Sequence, residues 1–183
     1  MLNSIVSILD SGVAASTTAY DSIATTTLGS SASSVTFSSI PATYTHLQIR
    51  VLAQNSVSGD FDWSLRFNSD TGANYSKHQL YGDGATAYAT GSASQNQIPG
   101  GFMYLTSWSP AIVDVLDYTS TTKNKTVRLL TGSDNNGGGF SGFRSGVWFA
   151  TPAAITSITI IPTSGGSGFL TNSSFALYGI KGA

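Results

Sequence analysis

The fold is decided by the stretch Phe61-Asp62-Trp63-Ser64-Leu65-Arg66-Phe67-Asn68-Ser69-Asp70-Thr71-Gly72-Ala73-Asn74-Tyr75. Its first half alternates between large apolar side chains and polar ones. A period of two residues places these sets on opposite faces of a β-strand, so one face of this strand is expected to be buried. The second half carries short oxygen-bearing side chains around Gly72, which favour a tight turn. The stretch therefore predicts a strand followed by a turn.

Similar short segments recur along the chain, with turn residues between nearly all of them. They comprise residues 20–27, 35–37, 46–52, 61–67, 77–81, 102–106, 112–118, 126–130, 147–149, 157–161 and 174–180. Residues 85–101 show little periodicity and are interpreted as a loop, and residues 134–139 as an exposed turn within a second loop, 133–142. Ser109-Pro110 is read as a break between two strands. Many short strands without a long helical pattern predict an antiparallel β-sandwich, and the jelly-roll type is favoured.

The length of 183 residues suits one domain with a sizeable core. We expect an N-terminal arm over residues 1–18 and a single jelly-roll domain over residues 19–183. Apolar residues in the arm follow helical spacing, at Leu2, Ile5, Ile8 and Leu9. Such a short segment is not stable alone in water. It is either a frayed end or a segment packed on its own domain, or these four side chains are buried against a neighbouring subunit or a capsid; the last interpretation is the hypothesis carried forward.

Composition argues against several partners and sites. Charged residues make up 9% of the chain and the formal net charge is −1, so a nucleic-acid partner is not expected. No run of 18 apolar residues is present, and no membrane partner is expected. Because the chain has no Cys, it can form neither a disulfide nor a thiolate metal site.

The sequence does not point to a catalytic, cofactor or metal site. The two histidines, His46 and His78, lie in separate strand-like segments without other ligands at a recognisable spacing. The run from Asn68 to Asn74 resembles a calcium loop, but Asp70 is its only charged residue, so a turn held by side-chain hydrogen bonds is the preferred interpretation. Residues 137–142 have the spacing of a dinucleotide fingerprint without the helix that should follow. We therefore predict a protein that is not an enzyme.

Aromatic residues leave a binding function open. An exposed aromatic ring can stack on the apolar face of a sugar. Trp108, which lies among Ser107, Ser109 and Pro110, is the better candidate for a ring displayed on a loop, with Tyr104 near it in sequence. A glycan site at these two residues is the alternative prediction.

Several segments resemble those of small β-rich virion proteins of tailed bacteriophages, and the likeness runs from about Tyr20 to Ile180. The segments are Val35-Thr36-Phe37-Ser38-Ser39-Ile40-Pro41, Phe67-Asn68-Ser69-Asp70-Thr71-Gly72-Ala73-Asn74-Tyr75-Ser76-Lys77-His78, Leu80-Tyr81-Gly82-Asp83-Gly84, Asp117-Tyr118-Thr119-Ser120-Thr121-Thr122-Lys123-Asn124-Lys125-Thr126 and Leu177-Tyr178-Gly179-Ile180.

The resemblance implies a structural role in a virion. Proteins of this kind serve as capsid decoration (cement) proteins or as tail-fibre and receptor-binding subunits, often as homotrimers. Size and layout favour the capsid, so we expect a homotrimer on the capsid exterior that binds the major capsid protein and stabilises the shell. A tail-fibre subunit that recognises a host-surface glycan is the alternative, and a carbohydrate-active hydrolase is a more remote one.

Overall fold

The computed structural model describes residues 19–57, 61–163 and 168–182, without the side chain of Phe61. These residues form twelve strands and no helix. The strands are β1 (Tyr20–Thr27), β2 (Val35–Phe37), β3 (His46–Ala53), β4 (Phe61–Phe67), β5 (Tyr75–Gly82), β6 (Ala87–Gln95), β7 (Ile98–Met103), β8 (Ser109–Leu116), β9 (Lys125–Asn135), β10 (Gly138–Trp148), β11 (Ile158–Pro162) and β12 (Ser174–Ile180). The predicted arm, with Leu2, Ile5, Ile8 and Leu9, lies outside the described residues.

The strands form two antiparallel sheets, which confirms the predicted all-β sandwich. The large sheet has the order β1-β12-β3-β8-β9-β10-β5-β6, and the small sheet has the order β2-β11-β4-β7. Eight strands pair as a folded ribbon that alternates between the sheets: β1 with β12, β2 with β11, β3 with β8, and β4 with β7. The hairpins β5–β6 and β9–β10 extend the large sheet beyond this ribbon.

The core lies between the two sheets and follows the predicted alternation. In β4, Trp63, Leu65 and Phe67 are fully buried, and in β3 the inward residues Leu47 and Ile49 are fully buried as well. Tyr75 and Trp148 stack at one end of this core, with ring centroids 6.4 Å apart. The stretch after β4 forms the predicted turn, since Asn68 and Ser69 have left-handed backbone with φ of 50° and 57°.

The interpretation of residues 85–101 as a loop was wrong, because this segment contains β6 and most of β7. β7 includes Pro99-Gly100-Gly101, which by composition indicates a turn, yet it pairs with β4 along the core. The reason is a close approach: a Cβ on Gly100 would lie 2.0 Å from Cε3 of Trp63. Only glycine lets the backbone pack against that indole ring.

Two other boundaries also needed correction. Pro110 does not separate strands, since β8 begins at Ser109 and pairs with β3 through Pro110 and Leu52. The loop expected over residues 133–142 is a hairpin, in which Asn135 pairs with Gly138. Its two turn residues, Asn136 and Gly137, have φ of 52° and 103°, as the type I′ turn of an Asn-Gly pair requires.

Candidate interaction face

A row of apolar side chains crosses the outer face of the large sheet. Its residues lie directly opposite one another on five neighbouring strands, β8, β9, β10, β5 and β6. We call this row the apolar band; it consists of Ile112, Leu130, Phe143, Leu80 and Ala89. The exposed fraction is 65% for Phe143, 54% for Leu80, 50% for Leu130 and 42% for Ile112. Large exposed apolar side chains lined up in this way form a candidate surface for contact with another molecule.

The outward position of Phe143 follows from the residues beside it in β10. Gly142, Arg144 and Gly146 alternate with it and are buried, so the largest apolar side chain of this part of the strand faces solvent while its small and charged neighbours face inward. A shift of β10 by one residue would bury Phe143 and expose both Arg144 and Trp148, which is also buried. The inward face of β10 is therefore occupied by Arg144 and Trp148, and Phe143 lies on the outward face.

Arg144 is held inside by a bidentate ion pair with Asp62 of β4. Its Nη1 and Nη2 atoms lie 3.1 Å from Oδ2 and Oδ1 of Asp62, and Nη1 also donates to the carbonyl of Gly100 at 2.7 Å. The guanidinium lies 4.1 Å from the ring centroid of Phe102, within cation–π distance. Burial raises the pKa of the Asp62 carboxyl, and the charge and hydrogen bonds of Arg144 offset this effect only in part.

A second row lies beside the band, two residues away from it along β6, β5, β10, β9 and β8, and continues into β3. We call it the polar row; in order across the sheet it consists of Gly91, His78, Ser145, Arg128, Asp114 and Gln48. The side-chain amide of Gln48 donates to Asp114 at 3.0 Å, and Arg50 donates to Gln48 at 3.1 Å. The apolar surface therefore has a defined polar margin, as protein interfaces commonly have.

The strand β6 forms one edge of the large sheet. Every residue from Ala87 to Ser94 is exposed, so both faces of this strand are open to solvent. The segment has no proline and no charged side chain, which are the residues that commonly protect an edge from pairing with another chain. The band therefore ends at an edge that is itself open to contact.

The two predicted glycan residues have different surroundings. Trp108 is 40% exposed and lies in a groove with Asp83, Asp134 and the tip of the β9–β10 hairpin. Tyr104 is 6% exposed, and its ring stacks on that of Phe140 with centroids 6.0 Å apart. Of these two rings, therefore, only that of Trp108 is substantially open to solvent.

Both carboxylates in this groove already hold turns. Asp83 accepts hydrogen bonds from the backbone N–H groups of Thr86 and Ala85, at 2.7 and 2.9 Å, and these bonds lower its pKa. Asp134 accepts from the N–H of Asn136 at 2.8 Å. Their outer lone pairs could still accept hydrogen bonds from sugar hydroxyls.

The resemblance of residues 68–74 to a calcium loop is explained by turn bonding. The carboxylate of Asp70 accepts hydrogen bonds from the backbone N–H of Gly72 at 2.8 Å, from Nδ2 of Asn74 at 2.9 Å and from Nε1 of Trp148 at 2.6 Å. Within residues 19–57, 61–163 and 168–182, no three His, Asp, Glu or Cys residues come together as a metal site would need.

The two histidines lie apart. Nδ1 of His46, the first residue of β3, accepts from the backbone N–H of Asp117 at 2.9 Å, whereas His78 belongs to the polar row beside the band. The structure does not bring them together at one site. Over the part of the chain that the structure describes, no helix could cross a membrane.

Sequence reasoning missed the apolar band. Two sequence features could have indicated it. Leu129 and Leu130 are adjacent, so in a strand one of them must face outward, and Phe143 lies between Gly142 and Arg144.

Comparison with known proteins adds no relative: no family model, curated protein or solved structure matches the chain.

Proposed function

We propose that this protein is a virion structural protein, a capsid decoration protein that binds the shell as a homotrimer and stabilises it. The observation that carries the proposal is the apolar band, with four large side chains between 42% and 65% exposed on one sheet face. Contact with another protein surface would remove this band from water. A protein that works by contact needs such a surface, whereas it needs no catalytic group.

We interpret the body as a jelly roll. Support comes from the ribbon of four strand pairs, β1 with β12, β2 with β11, β3 with β8 and β4 with β7, which alternate between the two sheets. Jelly rolls built from two such sheets are common in viral capsid proteins. This architecture agrees with the resemblance of several segments of the chain to β-rich phage virion proteins, although fold alone does not define function.

In this proposal the band is the contact between subunits, and the assembled trimer binds the shell. Closed symmetry repeats each weak contact with the shell, so that all copies must release together. Such contacts would depend little on salt, because the chain is 9% charged. The role is mechanical: the bound trimer would oppose the separation of capsid subunits.

The direct test is binding to empty shells from the particle that carries the protein, measured by co-sedimentation. We expect saturable binding with copy numbers in multiples of three. Phe143→Ser should lose binding at least tenfold, because it removes the subunit contact and with it the multivalency. Phe149→Ser is the matched control: Phe149 is 57% exposed but lies just after β10, six residues from Phe143, so binding should be retained. Wild-type protein that fails to bind shells would overturn the proposal.

A second candidate is a receptor-binding subunit that recognises a host-surface glycan, and the groove at Trp108 favours it. An exposed indole beside Asp83 and Asp134 combines a stacking surface with hydrogen-bond acceptors. This candidate predicts adsorption of the purified protein to host cells or glycans, with a large loss in Trp108→Ala. A silent glycan array combined with shell binding would eliminate it.

A further inference from the structure

We infer that residues 2–9 of one copy bind the apolar band of a neighbouring copy. This inference deepens the proposed function and rests on its homo-oligomer, because it names the segment that covers the band. The two surfaces are complementary in chemistry. The arm carries Leu2, Ile5, Ile8 and Leu9 on one face of a helical pattern. The band presents Ile112, Leu130, Phe143 and Leu80.

The direction of the chain at Ala19 favours a neighbouring copy over the same copy. The carbonyl of Ala19 accepts a hydrogen bond from the N–H of Lys181 at 3.2 Å, so the ladder between β1 and β12 continues to the first described residue. From there β1 runs towards Thr25, which lies in the same cross-strand row as the band. The described chain therefore begins at the end of the sheet, and an arm that reached its own band would have to reverse direction.

The segment before the body is long enough to reach across a sheet. From Ala19, the path to its own band requires a reversal of direction. Nine residues, 10–18, separate the apolar positions from the body and span up to roughly 30 Å when extended. With about 4.8 Å between strands and about 3.3 Å per residue, Ile112 lies roughly 22 Å and Leu80 roughly 33 Å from Tyr20 within one sheet.

The charge of the arm is also compatible with the residues beside the band. Asp10 is the only charged side chain among residues 1–18, and it follows directly on the apolar positions. An arm seated on the band could place Asp10 at the polar margin, where Arg128 is exposed between Ser145 and Asp114. The remaining arm side chains are apolar, small or hydroxyl-bearing, apart from the amide of Asn3, so none of them would bury an unpaired charge against the band.

Because the chain contains no Cys, each introduced Cys is the only thiol in its chain, and any disulfide must involve it. Two single variants, Ile5→Cys and Leu130→Cys, are purified separately, mixed under mild oxidation and analysed on a non-reducing gel. A disulfide between them can form only between copies, since each chain has one Cys. We expect at least tenfold more Ile5–Leu130 dimer than in the control mixture of Ile5→Cys with Thr36→Cys, an exposed position on the small sheet. Equal amounts in both mixtures would overturn the inference.

A double variant, Ile5→Cys with Leu130→Cys in one chain, distinguishes the two routes of the arm. Binding to a neighbour predicts a covalent ladder that ends at the closed oligomer, whereas monomers with an internal disulfide would contradict it.

Deletion of residues 2–9 should leave the circular dichroism of the body unchanged and reduce the oligomer at least tenfold. If cross-linking fails while shells are still bound by trimers, only this inference is wrong; if the ladder forms and shells are not bound, only the proposed function is.

Discussion

Asp62 and Arg144 form a bidentate ion pair across the two sheets, with both pairs of atoms at 3.1 Å. The side chain of Arg144 is 1% exposed and that of Asp62 is 30% exposed, so the arginine is the more deeply buried partner. The pair lies on the inward face of β10, and Phe143 lies on the outward face of the same strand. The candidate interaction face is therefore backed by a buried contact on the opposite side of the same sheet.

Removal of Asp62 should destabilise the protein strongly. Asp62→Ala leaves the buried guanidinium of Arg144 without its counter-ion, and we expect a loss of about 3 kcal/mol in the free energy of unfolding. Urea denaturation at pH 7 measures this loss. The control is Asp117→Ala, which breaks the solvent-exposed pair with Lys123 and should change stability far less. Equal effects of the two substitutions would show that the buried pair adds no more stability than the exposed one.

The close approach of β7 to the core predicts a second large effect. Gly100→Ala would place a Cβ 2.0 Å from the Trp63 ring, so the strand or the indole must move, at a cost of about 2–3 kcal/mol. Gly29→Ala is the matched control, because no atom lies within 4 Å of its added Cβ. Thermal unfolding of both variants checks this: a Gly100→Ala melting temperature equal to that of wild type would contradict the packing described for β7.

These two contacts also show what the sequence could and could not predict. The alternation in β4 correctly predicted that Trp63, Leu65 and Phe67 are buried, because one-sided burial leaves a period of two. No such pattern exists in β6, where both faces are exposed. In β7 the residues Pro99-Gly100-Gly101 also lack strand periodicity, and the contact of Gly100 with Trp63 joins segments far apart in sequence. In β10 the ion pair of Arg144 reverses the usual preference for burying the apolar residue. The strands β6 and β7 and the buried face of β10 are therefore set by pairing between distant segments, which the local sequence pattern does not show.

The turn after β4 predicts a specific pH dependence. Burial alone would raise the pKa of Asp70, but hydrogen bonds from Trp148, Asn74 and Gly72 outweigh it and lower the pKa below its ordinary value. The stabilisation is thus fully present above the unfolded value of about 3.9 and is lost as the pH falls through the folded pKa. Asp70→Asn should therefore destabilise the protein more at pH 7 than at pH 3. Unfolding curves that differ by the same amount at both pH values would contradict this account.

Tyr75 offers a prediction at the same turn. Its hydroxyl accepts from the backbone N–H of Phe67 at 3.1 Å and donates to the carbonyl of Asp70 at 3.1 Å. Burial raises the pKa of Tyr75 to about 12. Tyr75→Phe should cost about 1–2 kcal/mol in urea denaturation at pH 7, because it leaves a buried N–H unpaired. Stability equal to that of wild type would mean that these two bonds add nothing to the turn.

The central claim is that the apolar band is the contact between subunits, and the molar mass of the purified protein in solution tests it most directly. Sedimentation velocity with mass determination at micromolar concentration should give a trimer for wild type and for Phe149→Ser, and a folded monomer for Phe143→Ser. A wild-type monomer, or a Phe143→Ser variant that remains trimeric, would contradict the claim.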